Sequence, residues 1–117
     1  MWKTFKNSII KKIAKWWSRE LGEWDVDKQG MEEMIKAGTI IVDVRSPQEY
    51  REGHIDGAIL LPEYDIKRNA NLILKNKDET ILVYCTSGNR SKKAQKELNK
   101  MGYSKVYNLA GGIELFL

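Results

Sequence analysis

The sequence predicts an α/β domain with a mainly parallel central sheet, preceded by an N-terminal amphipathic helix. Short β-branched runs alternate with segments of helical spacing, the pattern of a sheet wound with helices. The runs at 39–44 and 80–84 are apolar almost throughout, as strands covered on both faces are. At 117 residues the chain is about one domain, long enough to bury a core without disulfides. Its single cysteine permits no intramolecular disulfide, which agrees with a reducing, cytoplasmic setting.

Residues 2–21 read as one helix, with Trp2, Phe5, Ile9, Ile10, Ile13, Trp16, Trp17 and Leu21 on one side and Lys11, Lys12, Lys15 and Arg19 elsewhere. The segment is too charged, and its apolar run too short, for a transmembrane helix or a signal-peptide core. A Trp/Ile face opposite lysines suits a helix lying in an anionic membrane surface, which predicts peripheral contact at the inner membrane face through residues 1–24. The same face also suits packing on the chain's own domain, on a second copy or on another partner. Residues 1–24 hold six Lys/Arg against two Glu, and residues 25–117 hold fourteen against fourteen Asp/Glu, so the whole formal charge of +4 lies in the N-terminal segment. The chain thus divides into a basic helix at 1–24 and a neutral domain at 25–117. A neutral body argues against nucleic acid as a partner, which would need a basic face.

Residues 28–37 form a predicted helix ended by Gly38 in a C-cap position. The strand at 39–44 follows and ends on the polar residues Asp43, Arg45 and Ser46. Ser46 caps a short helix with Pro47 at its first position and Glu49 at its third, the capping-box arrangement. Gly53-His54-Ile55-Asp56-Gly57 is a turn, a short strand occupies 58–61 up to Pro62, and a helix lies within 64–75. Asn76-Lys77-Asp78 is the loop into the strand at 80–84. An amphipathic helix covers 91–101, a strand 105–109, and Ala110-Gly111-Gly112 is a tight turn.

Ligands of parallel sheets bind beyond the carboxyl ends of the strands, where Cys85, Arg45 and the Gly111-Gly112 turn all fall. A lone cysteine is commonly a small buried hydrophobe. A packing role, however, requires neither a Gly three residues on, nor an Arg two further, nor a helix start. Gly88 opens backbone angles closed to other residues, so the loop can turn its N–H groups inward above the thiol. The dipole of the following helix and the cation of Arg90 add to that field, and both favour thiolate over thiol. Cysteine-dependent phosphatases place five residues between Cys and Arg, whereas four stand here, residues 86–89. The shorter ring suits a smaller group, such as a single sulfur carried on Cys85.

The chain resembles the rhodanese family, the sulfurtransferase homology domain, in three stretches that occur in the family's order. They are Ile41-Val42-Asp43-Val44-Arg45 with Glu49-Tyr50 and Gly53-His54-Ile55-Asp56-Gly57-Ala58; Cys85-Thr86-Ser87-Gly88-Asn89-Arg90-Ser91; and Leu109-Ala110-Gly111-Gly112-Ile113. The resemblance implies a three-layer rhodanese-like domain and a persulfide carried on Cys85, with Thr86, Ser87, Gly88, Asn89 and Arg90 as the cradle around it. Ser87 stands where the family's two-domain thiosulfate enzymes carry a Lys that helps bind the anionic donor. The basic helix lies outside the resemblance.

The implied reaction is a double displacement between a small-molecule or protein sulfur donor, such as thiosulfate or another persulfide, and a thiol or cyanide acceptor. No cofactor and no metal are implied, since the sequence holds no paired carboxylates and no ligand cluster. Arg90 is read as bracing the loop or as touching the donor, and Arg45 as a donor-binding residue or as the partner of Glu49 or Asp43. His54 is read as a hydrogen-bonding residue of its turn or as a general base, and Asp43 as a turn-bonding residue. Lys92 and Lys93 either draw anions toward the loop or merely solvate their helix. Two other readings stay open: a non-catalytic binding or regulatory rhodanese-like module, and a cysteine phosphatase or arsenate reductase relative.

Overall fold

Residues 22–116 are described by the computed structural model, so the helix read over residues 2–21, with its membrane and packing alternatives, lies outside the described residues. The elements run β1 (Asp25–Val26), α1 (Lys28–Lys36), β2 (Ile40–Asp43), α2 (Pro47–Glu52) and β3 (Ile59–Leu60). A 3₁₀ turn (Glu63–Asp65) leads into α3 (Ile66–Ile73), and β4 (Ile81–Tyr84), α4 (Asn89–Lys100), β5 (Val106–Leu109) and a closing 3₁₀ turn (Ile113–Phe116) follow. The five strands form one sheet in the order β1-β5-β4-β2-β3, and every neighbouring pair is parallel. No described helix is long and apolar enough to cross a membrane.

From β2 the chain moves outward to β3, then returns to the other side of β2 to form β4. The winding reverses between β2 and β4, and in open parallel sheets a crevice forms beyond the strand ends at such a point. Asp43 ends β2 and Cys85 directly follows β4.

Strand residues alternate between the two faces, so the sheet separates two cores. One joins Ile81, Val83 and Cys85 to Ile66 and Ala70 of α3 and Ala94 and Leu98 of α4. The other joins Leu82 and Tyr84 to Met31 and Met34 of α1 and Tyr50 of α2. The result is the three-layer arrangement expected. Every β4 residue is fully buried. At roughly 1.5–3 kcal/mol for each large apolar side chain removed from water, this central strand is a firm base for the loop at its end.

Two elements differ from expectation. Strand β1 has only two residues, too few for a periodic signal, and it exists because Asp25 and Val26 pair with Asn108 and Leu109. Its Asp25 carboxylate accepts hydrogen bonds from the Gly22 N–H, the Asn108 amide and Lys92. Burial pushes that carboxyl up, but these three donors outweigh it and hold it below its ordinary value. The closing turn is likewise unannounced by its residues, because its partner is a distant loop. Its Ile113 and Glu114 N–H groups donate to the Cys85 and Thr86 carbonyls at 3.0 and 3.1 Å.

This contact explains why Gly112 is glycine. Its φ is +71°, and an added Cβ would collide with the Thr86 carbonyl and the Ser87 amide, both backbone. Gly112→Ala is expected to cost about 3 kcal/mol in urea unfolding, from left-handed strain together with displacement of the Cys85 loop.

Candidate active site

The pleat of β4 points Cys85 to the α3–α4 side, in line with Ile81 and Val83, and its residue is fully buried. Gly88 turns the chain with φ +101°, using the backbone freedom expected of it, and stands as the N-cap of α4, which starts at Asn89, two residues before the expected 91. The turn aims backbone donors at the sulfur. The Gly88 N–H lies 3.0 Å from Sγ and the Ser91 N–H 3.3 Å from it. The thiol donates to Ser91 Oγ at 3.3 Å, and that hydroxyl donates to the Gly88 carbonyl at 3.1 Å. Ser87 and Asn89 are exposed on the outside of the loop.

The loop is anchored from α2. Arg90 forks onto the Glu49 carboxylate, Nη1 to Oε1 at 2.6 Å and Nη2 to Oε2 at 2.9 Å. Thr86 Oγ1 donates to the same Oε2 at 3.0 Å and accepts from Arg90 Nη2 at 3.3 Å. Glu49 completes the predicted capping box at the same time, accepting from the Ser46 N–H at 3.2 Å while its own N–H donates to Ser46 Oγ. Hydrogen bonds from Arg90 hold the Glu49 carboxyl far below the usual carboxylate range. Burial opposes this, and Ser46 and Thr86 reinforce it. Reciprocally, Arg90 is held protonated above its ordinary value, chiefly by Glu49 and against burial. Arg90 is therefore occupied in joining the loop to α2.

Arg45 requires a correction to the donor-binding expectation. Its Nε and Nη2 grip the Asp43 carboxylate, with Nη2 at 2.7 Å from Oδ2, and Nη2 also donates to the Gly53 carbonyl at 2.6 Å. The pair is almost wholly buried, so the guanidinium faces protein and its role is that of Asp43's partner. Asp43 also accepts from the Arg45 N–H and from the Tyr84 hydroxyl, the latter at 2.7 Å. Burial pushes the Tyr84 phenol well up, so it remains a donor to Asp43. Tyr84 in turn accepts the Ile55 N–H, which fixes the turn after α2.

His54 bonds the Tyr50 carbonyl through Nδ1 at 2.7 Å and stacks on the Tyr50 ring with centroids 3.6 Å apart. Lys92 is engaged by Asp25 at 3.1 Å. Lys93 lines an open groove of about 410 Å³ between the 3₁₀ turn at Glu63–Asp65 and α4, with Lys67, Lys96 and Lys100. Among the described residues no group of three or more His, Cys, Asp or Glu could hold a metal ion.

The sequence reading missed two contributors. Glu49 was legible as a helix cap and as a candidate partner of Arg45, not as the anchor of the loop, because its contacts with Thr86 and Arg90 span 37 and 41 positions of chain. Ser91 was legible only as a residue of the α4 start, since its relation to Cys85 depends on how tightly Gly88 turns.

The Glu49–Arg90 fork makes a prediction with a defined pH dependence. Glu49→Gln is expected to lose roughly 1–2 kcal/mol of stability at neutral pH, a charged hydrogen-bonded pair discounted because about a third of its side-chain surface meets water. Because the folded carboxyl titrates below its ordinary 4.5, this contribution is complete above that pH and declines as acid approaches the folded value. Urea midpoints of the two proteins should therefore converge on acidification below 4.5, and a constant gap would refute the assignment.

Comparison with known proteins agrees with this geometry. The family model of the rhodanese-like domain matches residues 27–117. The chain is 38% identical over 73 residues to the thiosulfate sulfurtransferase PspE of Escherichia coli, covering 62% of this chain and 69% of that one. It is 40% identical over 92 residues to the thiosulfate sulfurtransferase GlpE of Pseudomonas putida, covering 76% and 79%. Among solved structures, the rhodanese-related protein of Thermoplasma volcanium superposes with a TM-score of 0.70 at 28% identity, over 79% of this chain and 88% of that one. A sheet whose central strand delivers a cysteine to the backbone donors of Gly88 and Ser91, together with the family match over most of the domain, places the chain in the rhodanese family as a sulfurtransferase of the rhodanese type.

Proposed function

We propose that the protein carries sulfane sulfur as a persulfide on Cys85, between a donor such as thiosulfate or another persulfide and a thiol or cyanide acceptor. The observation that carries this reading is the convergence of the Gly88 and Ser91 N–H groups on Sγ, at 3.0 and 3.3 Å. Fixed backbone dipoles there favour sulfur as an anion, the form that attacks and the form that leaves.

In the first displacement the Cys85 thiolate attacks the outer sulfur of the donor. A new S–S bond forms, the donor's bond to that sulfur breaks, and the remainder leaves with the electron pair, as sulfite when the donor is thiosulfate. In the second, an acceptor thiolate or cyanide attacks the outer sulfur of the persulfide, and the Cys85 thiolate departs unchanged. One cysteine suffices for both steps, and the chain has one.

The expected outcome is a mass gain of about one sulfur atom after incubation with thiosulfate or a persulfide donor, reversed by a reducing thiol and absent in Cys85→Ser. Intact-mass spectrometry checks it. No gain under any donor would leave the binding-module reading, and turnover of p-nitrophenyl phosphate or arsenate would favour the phosphatase or arsenate-reductase relative.

A further inference from the structure

Ser91 is fully buried at the start of α4, and its hydroxyl stands between two acceptors. One is the Gly88 carbonyl at 3.1 Å, the local back-bond that serines in helices commonly make. The other is Cys85 Sγ at 3.3 Å. A hydroxyl has one proton and two lone pairs, so it donates to only one of them at a time. With Cys85 protonated, the S–H donates to Oγ and the O–H donates to the carbonyl, a chain in which every group is satisfied. With the proton gone, an unturned hydroxyl would present a lone pair to an anionic sulfur. Rotation about Cβ–Oγ removes that repulsion without moving a heavy atom. The Gly88 carbonyl keeps a partner when the hydroxyl turns away, because the Lys92 N–H donates to it at 3.1 Å.

We infer that the Ser91 hydroxyl is a switchable donor to Cys85, turned to the Gly88 carbonyl while the sulfur is a thiol or a persulfide and turned to Sγ when it is a thiolate. This rests on the sulfur-transfer reading for its purpose. In the persulfide the negative charge lies on the outer sulfur, and Sγ is neutral. The third hydrogen bond therefore forms only when Cys85 is the attacking or the departing thiolate. An interaction absent from the loaded state and present as charge returns to Sγ lowers the barrier to unloading without stabilising the persulfide itself. The charged groups around the sulfur do not take over this role. Arg90, in the first turn of α4, is paired with Glu49 of α2, and Asp43 at the end of β2 is paired with Arg45.

The test is the ultraviolet absorbance of the thiolate across pH, in the full chain and in Ser91→Ala, each corrected with its Cys85→Ser counterpart to remove tyrosine ionisation. The single cysteine makes the difference signal unambiguous. Ser91→Ala retains the Ser91 N–H and the Gly88 N–H, so only the hydroxyl is lost. We expect a given thiolate fraction to be reached about one pH unit higher, a tenfold loss of thiolate on the rising limb. Ser91→Thr, which restores a hydroxyl, should return most of the shift, with thermal melting confirming that both variants are folded. An unchanged titration in Ser91→Ala overturns the inference, whatever its activity. A shifted titration in a chain that takes up no sulfur upholds the hydroxyl's action on the thiolate and overturns only the sulfur-transfer reading.

Discussion

The Glu49 carboxylate carries more of this architecture than its place in a six-residue helix would suggest, because it is where the two faces of the sheet are joined around Cys85. Helix α2 packs with the core formed by Leu82 and Tyr84, whereas the loop leaving Cys85 feeds α4 on the opposite face. Glu49 closes the gap, accepting from Thr86 on the loop and Arg90 in the first turn of α4 while capping its own helix. The fork also matches the Arg90 charge with a carboxylate, and two backbone N–H groups, of Gly88 and Ser91, reach the sulfur directly. Those donors need no reorganisation when charge develops, which is the basis of oxyanion-type stabilisation.

A second support acts from the other side. The closing turn lays the Ile113 and Glu114 N–H groups onto the Cys85 and Thr86 carbonyls, and the missing Cβ of Gly112 lets the two backbones touch. The loop is thus held by side chains from α2 and by main chain from beyond β5, above a strand with no solvent contact. A constellation fixed from several independent elements keeps its geometry better than a loop left to itself.

The Asp43–Arg45–Tyr84 cluster sets the position of α2 in turn. Arg45 links the end of β2 to the Gly53 carbonyl after α2, and Tyr84 links the end of β4 to Ile55. A buried ion pair gains little net stability over apolar packing, but losing either partner strands a charge. Its value here is geometric, since it fixes the helix that presents Glu49 to the loop.

Local chemistry alone was enough to read the layered α/β plan, the strands at 39–44 and 80–84, the Ser46 capping box, and the Cys85 loop with Gly88 at its turn. Each of these is written in residues close together in the chain, through periodicity, capping or backbone freedom. Tertiary structure decided what the same side chains do across distance. Arg45 could have served a donor or a neighbour; its partner Asp43 is two residues back, but the Gly53 carbonyl and the Tyr84 hydroxyl that complete the cluster come from further along the chain. Glu49 reads as a cap until the loop 37 residues later arrives beside it. Strand β1 appears only when β5 supplies its hydrogen-bonding edge, since two residues carry no period of their own. Spacing along the chain records which residues share a turn, and it is silent about which turns meet.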